Sequence, residues 1–164
     1  MKLIPIVLLM FLFTSAYAQN APTISVRTVN GDDLSLRSLT EKGPTLVNFW
    51  ALWCEPCKTE LRDLQSLFEK YSSSGFCILA VNQDSPKSVS KVRSYAASQK
   101  FSFHIALDPN GELLQQFNAQ QIPFSALYDK NGSLVYRAIG YKPGDELELE
   151  VALKKLLEGT GGHK

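Results

Sequence analysis

The chain has 164 residues, of which 45% are hydrophobic and 20% are charged, and its formal net charge is +1. This length and composition are typical of a globular protein with one core of ordinary size. A net charge so close to zero creates no strong field toward nucleic acid or anionic lipid, and no basic run with interleaved aromatic residues occurs. We therefore expect no nucleic-acid partner.

The first 18 residues show the order of features found in a secretory signal peptide. Lys2 supplies a positive start, an uncharged apolar stretch runs from Leu3 to Phe13, and Ala16-Tyr17-Ala18 fits a small-x-small cleavage site. The apolar stretch is short for a membrane span, which takes about 20 residues. We predict a cleaved signal peptide over residues 1–18 and a mature domain over residues 19–164, exported to the periplasm or another extracytoplasmic space. An uncleaved anchor and a buried strand are the alternatives.

The first half of the mature chain predicts a hairpin, a buried strand and a long helix. Alternating apolar residues from Thr23 to Leu36, with a turn at Asn30-Gly31, are typical of a β-hairpin. Thr45 to Leu52 is nearly all apolar, as in a strand buried on both faces. From Glu55 to Tyr71, apolar residues recur at intervals of three and four and predict a helix. Its apolar stripe consists of Cys57, Leu61, Leu64, Phe68 and Tyr71.

The second half alternates in the same way between strands and helices. The predicted elements are a strand at Phe76–Val81, a helix from Ser85 to about Gln99, a strand at Phe103–Leu107, a short helix at Leu113–Phe117, hairpin strands at Phe124–Tyr128 and Leu134–Ile139, and a last helix at Asp145–Leu157. This order predicts an α/β fold with a mixed central sheet flanked by helices. Its strand–helix–strand units are expected to be parallel and its C-terminal hairpin antiparallel.

Two of the cysteines stand where the buried strand meets the long helix, in Trp53-Cys54-Glu55-Pro56-Cys57. Free backbone N–H groups and the helix dipole stabilise a thiolate at a helix start, and the thiolate is the nucleophile in thiol–disulfide exchange. Pro56 suits the first helical turn, where its missing N–H costs little. We predict a redox-active pair in which Cys54 attacks and Cys57, on the apolar face, resolves the mixed disulfide.

Two other interpretations of the pair remain open. It could be half of a zinc site, although no second Cys-x-x-Cys follows and the only histidines are His104 and His163. It could be a structural disulfide, in which case the neighbouring Trp and Pro would be coincidental. We predict neither a metal site nor a cofactor. The third cysteine, Cys77, lies in a predicted strand and is expected to be a buried, inert thiol.

The segment from Asn48 to Cys57 resembles the active-site segment of the thioredoxin superfamily, and it is most similar to the exported TlpA/ResA-like branch. The hairpin turning at Asn30-Gly31, the strand–helix segment between Val81 and Leu107, and the late Ile122-Pro123 have counterparts in that branch. The resemblance covers nearly all of the mature chain. It implies a thioredoxin-like fold with an N-terminal β-hairpin and an extra strand–helix insertion.

The resemblance also implies companions for the cysteine pair. Pro123 is expected to be a cis proline that faces the pair and turns the backbone of Ile122 toward a substrate chain. Glu60, three residues after Cys57, is expected to take part in the titration of the thiols. The residues alone leave open an ordinary trans proline and a solvated helix glutamate. We expect substrate contacts at four positions: Trp53, Glu55, Pro56 and Ile122.

The charge of Glu55 bears on the direction of electron flow. A carboxylate between the cysteines opposes a thiolate at Cys54, which disfavours the dithiol form and predicts a reducing protein. If Glu55 points into water, solvent screens this effect. Asn48 occupies the place where cytosolic thioredoxins usually carry a buried Asp, so one possible proton acceptor is missing.

The predicted function is that of an exported thiol–disulfide oxidoreductase. By resemblance, it reduces disulfides of cell-envelope proteins, apocytochrome c among them, and receives electrons from a membrane or envelope donor. We expect a monomer. The alternatives are a copper metallochaperone, whose relatives usually place three residues between the cysteines and add a His, and a thiol peroxidase, whose upstream Pro/Thr set Cys54 lacks. An inert binding module on the same fold is a further alternative.

Overall fold

A computed structural model describes residues 20–159, so the predicted signal peptide and His163 lie outside the described residues. The strands are β1 Ser25–Arg27, β2 Asp33–Ser35, β3 Thr45–Trp50, β4 Cys77–Asn82, β5 His104–Leu107, β6 Phe124–Tyr128 and β7 Leu134–Ile139. The helices are α1 Leu36–Thr40, α2 Glu55–Tyr71, α3 Val89–Ser98, α4 Glu112–Gln116 and α5 Asp145–Gly159. Within residues 20–159, no helix is long and apolar enough to cross a membrane.

The central sheet has five strands in the order β5-β4-β3-β6-β7. β3 pairs in parallel with β4, and β4 with β5, while β6 runs antiparallel to both β3 and β7. The predicted mixed sheet is therefore confirmed. β1 and β2 form a separate antiparallel pair. The N–H of Val29 donates to the carbonyl of Ile105 at 2.8 Å, so the hairpin covers the outer edge of β5.

The two faces of the sheet carry two hydrophobic clusters. Along β3, Leu46 and Trp50 belong to the cluster that packs with α2, α3 and α5, whereas Val47 and Phe49 belong to the cluster with α1 and α4. This alternation is the period-two pattern of a strand buried on both sides. Both residues of the cysteine pair lie in the first cluster. The site is thus built on the α2 side of the sheet.

The structure corrects the prediction at Leu36. Leu36 was expected to end the N-terminal hairpin, but it begins α1. The Ser35 hydroxyl caps this helix by accepting the N–H of Ser38 at 3.0 Å. Leu36 and Leu39 are fully buried in the cluster that contains Val47 and Phe49. The predicted helix starting at Ser85 opens with a 3-10 turn over Pro86–Ser88, and α3 itself begins later.

Candidate active site

The site lies at the end of the sheet where β3 leads into α2. The chain leaves β3 through a turn in which the N–H of Cys54 donates to the carbonyl of Ala51 at 3.1 Å. Cys54 is the N-cap of α2, with extended backbone angles of φ −95° and ψ 98°, and Pro56 lies in the first helical turn. The sequence therefore placed the pair at the correct junction, because both the strand and the helix have strong apolar patterns.

Cys54 and Cys57 are joined by a disulfide, with their Cα atoms 5.3 Å apart. The N–H of Cys57 points at the Sγ of Cys54 at a distance of 3.3 Å. Cys54 is 5% exposed and Cys57 is 0% exposed. The same N–H and the positive end of the helix dipole would stabilise a thiolate on Cys54 after the disulfide opens.

The rim of the site combines an exposed aromatic ring with an exposed ion pair. Trp53 is 68% exposed and stands directly before Cys54. The side chain of Glu55 is 82% exposed, and its carboxylate lies 2.6 Å from the Nζ of Lys58. Because water and Lys58 both offset this charge, Glu55 opposes a thiolate on Cys54 less than its position in the sequence indicated. Pro56 is also exposed.

The peptide bond between Ile122 and Pro123 is cis. β6 begins at Phe124, which is paired with Phe49 of β3, so Pro123 lies one residue beyond that pair, toward the end from which the chain enters α2. The side chain of Ile122 packs against the cluster that contains both cysteines. The Ile122-Pro123 step and the cysteine pair therefore share one end of the sheet.

Glu60 is a buried carboxylate held by two side chains from the sheet. It is 4% exposed. Its Oε2 accepts from the Nδ2 of Asn48 at 2.9 Å, and its Oε1 accepts from the hydroxyl of Ser125 at 2.8 Å. Asn48 and Ser125 are directly paired across β3 and β6, and Asn48 also donates to the Ser125 hydroxyl at 3.0 Å. Glu60 is thus no solvated helix residue.

Burial raises the pKa of Glu60 from its usual 4.5 to about 7. The hydrogen bonds from Ser125 and Asn48 oppose this rise in pKa, while the charges of Asp145 and Asp63 add to it. Glu60 lies one helical turn after Cys57, and both are buried on the same face of α2. A carboxyl group with this pKa can give or take a proton at neutral pH.

Two residues of the site went unrecognised in the sequence. Ser125 was visible as a hydroxyl inside an otherwise apolar strand, but nothing local linked it to Glu60. Asp84 is 8% exposed, and its Oδ2 accepts the N–H of Leu52 at 2.7 Å in the turn before the cysteine pair. The sequence did contain a signal for Asp84, because it is a polar residue just beyond β4, a buried strand parallel to β3.

The remaining cysteine and histidine lie elsewhere. Cys77 begins β4, at the end of the sheet opposite to the pair, and it is half-buried instead of fully buried as predicted. Burial raises the pKa of its thiol. His104 is largely exposed at the start of β5, and partial loss of solvent around its ring, together with the charge of Lys42, lowers its pKa. Within residues 20–159, no group of three or more His, Cys, Asp or Glu residues could hold a metal ion.

The sequence profile of the AhpC/TSA family matches residues 17–137. The chain belongs to the AhpC/TSA family. It is 29% identical over 130 residues to the thiol-disulfide oxidoreductase ResA of Bacillus cereus, covering 79% of this chain and 73% of that protein. It is 31% identical over 124 residues to the sporulation thiol-disulfide oxidoreductase A of Bacillus subtilis, covering 75% of this chain and 74% of that protein.

A solved structure supports the same assignment for this member of the AhpC/TSA family. A thiol:disulfide interchange protein of the thioredoxin family from Chlorobium tepidum superposes with a TM-score of 0.71 at 28% identity, covering 87% of this chain and 98% of that one. The predicted thioredoxin-like fold and the resemblance to the ResA-like proteins are confirmed. The chain is an enzyme, a thioredoxin-like thiol–disulfide oxidoreductase.

Proposed function

We propose that this enzyme is exported and reduces disulfides of cell-envelope proteins through Cys54 and Cys57. One observation carries the exchange chemistry in this proposal: Cys54 caps α2 and is disulfide-bonded to a cysteine with no exposed surface. Export and the reducing direction are supported by the sequence and the resemblance. A pair whose first sulfur faces the helix start and whose second is buried suits attack followed by internal resolution.

The reaction begins with the dithiol form. The Cys54 thiolate attacks one sulfur of a substrate disulfide, a mixed disulfide forms, and the other substrate sulfur leaves as a thiolate. Cys57 then loses its proton and attacks the Cys54 sulfur, which releases the second substrate thiolate. The substrate gains two electrons and two protons, and the pair becomes the disulfide. A dithiol donor in the membrane or envelope returns it to the dithiol form.

Glu60 is the proposed proton acceptor for Cys57. Its position one turn further along α2 places the carboxyl on the same buried face as the resolving thiol. Its pKa of about 7 matches the transfer of a proton near neutral pH. The hydrogen bonds from Asn48 and Ser125 fix the orientation of the carboxylate.

The substrate chain is proposed to bind across the rim of the pair. Trp53, Glu55 and Pro56 are exposed on one side, and the Ile122-Pro123 peptide lies at the same end of the sheet. A substrate segment in extended conformation could pair with the backbone of Ile122 as an added strand. Contacts of this kind recognise the main chain and tolerate many sequences around a disulfide.

The sequence and the resemblance support the proposed location and substrate. The predicted signal peptide over residues 1–18 supports export to the periplasm or an equivalent space. A dithiol reductant in such an oxidising compartment serves proteins whose cysteines must stay free for a later step. Apocytochrome c before haem attachment is the substrate that the resemblance favours, and we propose that the enzyme acts as a monomer.

The test is reduction of a model disulfide such as that of insulin by the purified dithiol protein. Cys54→Ser is expected to abolish the reaction, because it removes the attacking sulfur. Cys77→Ser is the matched control, because it removes a thiol at the opposite end of the sheet, and it should keep the full rate. A Cys54→Ser protein that still reduces insulin would contradict the proposal. Stoichiometric copper retained after dialysis would support the metallochaperone instead.

A further inference from the structure

The turn that presents Cys54 is held from outside by a buried carboxylate. The turn's own hydrogen bond, from Cys54 N–H to Ala51 carbonyl, leaves the N–H of Leu52 unused. The Oδ2 of Asp84 accepts this N–H at 2.7 Å. We propose that Asp84 is a positioning residue that keeps Cys54 against the start of α2 when the disulfide is open.

Asp84 is itself fixed to the central sheet. Its Oδ2 also accepts from the Nδ2 of Asn82 at 2.8 Å, and its own N–H donates to the Oδ1 of Asn82 at 3.0 Å. Asn82 is fully buried, ends β4 and is paired with Trp50 at the end of β3. The carboxylate therefore connects the turn to the end of the central sheet, through a part-buried hydrogen bond to Leu52 and two buried hydrogen bonds to Asn82.

The hydrogen bond between Leu52 and Asp84 matters more in the dithiol form than in the disulfide form. In the disulfide form a covalent bond already holds Cys54 to Cys57. Opening the disulfide removes that bond, and the turn is then held by its own hydrogen bond from Cys54 to Ala51, by the start of α2 and by the hydrogen bond from Leu52 to Asp84. The N–H of Cys57 stabilises the thiolate of Cys54. Without the hydrogen bond to Asp84, Cys54 can move away from this N–H. Removing the carboxylate should therefore destabilise the dithiol form selectively.

The experiment measures the equilibrium of the Cys54–Cys57 pair with glutathione. In Asp84→Ala, we expect a shift of about tenfold toward the disulfide, the size of one lost hydrogen bond to a buried charge. For this two-electron couple, a tenfold shift makes the reduction potential more negative by about 30 mV. Asp84→Asn keeps an oxygen that can accept the Leu52 N–H, so its shift should stay within about threefold.

If only the charge of Asp84 mattered, the equilibrium with glutathione would shift in the opposite direction. If Asp84 acted only by repelling the Cys54 thiolate, both Asp84→Ala and Asp84→Asn would shift the pair equally toward the dithiol. That result would overturn the proposal. An unchanged equilibrium in Asp84→Ala, with equal losses of stability in both redox forms, would overturn it as well, since it would show a role in folding alone.

Asp108 provides a matched control. It is 5% exposed, and its Oδ2 accepts the N–H groups of Leu113 and Leu114 at 3.1 Å each at the start of α4. Asp108→Ala removes an equally buried carboxylate bound to backbone. That carboxylate also accepts from the Nε2 of Gln83 at 3.0 Å, but it makes no hydrogen bond to the turn before Cys54. The variant should destabilise both redox forms equally and leave the equilibrium with glutathione unchanged, and a shift as large as that of Asp84→Ala would contradict the specificity of Asp84.

A second measurement on the unaltered protein covers the case in which Asp84→Ala does not fold. The amide of Leu52 should stay protected from hydrogen exchange after the pair is reduced, and rapid exchange on reduction would contradict the proposal. The inference rests on the proposed role of Cys54 as the attacking thiol. The two can fail separately, because the glutathione equilibrium is measured without any protein substrate, whereas the proposed function is tested by insulin reduction.

Discussion

At the scale of single residues, chemistry depends on groups that are far apart in sequence. Cys54 and Cys57 could be identified from their spacing, because a strand and a helix with clear patterns meet there. The surroundings of Glu60 could not, because its partners Asn48 and Ser125 lie 12 and 65 positions away along the chain. Only the register between β3 and β6 brings these side chains together.

The buried state of Glu60 predicts a particular dependence of stability on pH. The folded pKa of about 7 lies above the usual 4.5, so between these values the folded protein holds a proton that the unfolded chain has lost. The free energy of unfolding of the disulfide form should therefore be highest below pH 4.5. It should fall by an amount on the order of 3 kcal/mol as the pH rises from 4.5 to about 7. Urea unfolding at a series of pH values measures this fall.

The Glu60→Gln variant supplies the comparison for this pH dependence. Its amide carries no charge and can still bond to Asn48 and Ser125, so the fall in stability between these pH values should disappear. Glu69→Gln, an exposed change on the same helix, should keep the fall. Equal pH profiles for the Glu60→Gln variant and the unaltered protein would show that Glu60 does not titrate in this range.

At the scale of elements, the length and periodicity of a segment decided whether it was predicted. α2 begins and ends at the predicted residues, because it has a long apolar stripe and a Ser-rich segment closed by Gly75, whose φ is +93°. α1 was missed because the alternation of Leu34 and Leu36 continues the pattern of the preceding strand, so it gives no sign that a helix begins at Leu36.

Contacts between α2 and α5 yield a prediction at this scale. The hydroxyl of Tyr71 and the Nζ of Lys70, both near the end of α2, donate to the Oε1 of Glu150 on α5. These contacts and Lys154 lower the pKa of Glu150 to about 2. Tyr71→Phe keeps the ring but removes one hydrogen bond to a charged group, so it should cost about 1–2 kcal/mol in urea unfolding at neutral pH.

The control for Tyr71 is Tyr95→Phe. Within the described residues the Tyr95 hydroxyl makes no hydrogen bond, and its ring packs against Trp50 and Phe101. Removing that hydroxyl should leave stability nearly unchanged. Equal losses in the two variants would show that the contact with Glu150 does not hold α2 to α5.

At the scale of the whole molecule, the order of elements predicted the mixed sheet and its parallel and antiparallel pairs. The strand order β5-β4-β3-β6-β7 could not be derived in the same way, because it depends on which strands pair across long separations. The N-terminal hairpin was predicted, but its packing on the edge of β5 was not, since no local pattern shows which edge a hairpin covers.

The proposed export concerns the whole chain and has its own test. When the full chain is expressed in a bacterium with a periplasm, the purified protein should begin at Gln19, as shown by intact mass. Ala18→Phe places a bulky residue at the predicted cleavage site and should block processing. Recovery of the unaltered protein with Met1 and its apolar segment still attached would contradict the predicted signal peptide.

The central claim is that Cys54 attacks substrate disulfides and Cys57 resolves the mixed disulfide. The most direct test expresses Cys57→Ser in its own compartment and identifies proteins that stay covalently attached to it, with Cys54→Ser as the control. We predict that Cys57→Ser retains envelope proteins through Cys54 that are released by dithiothreitol, and that Cys54→Ser retains none. An absence of trapped proteins on Cys57→Ser, or an equal set on Cys54→Ser, would contradict the account.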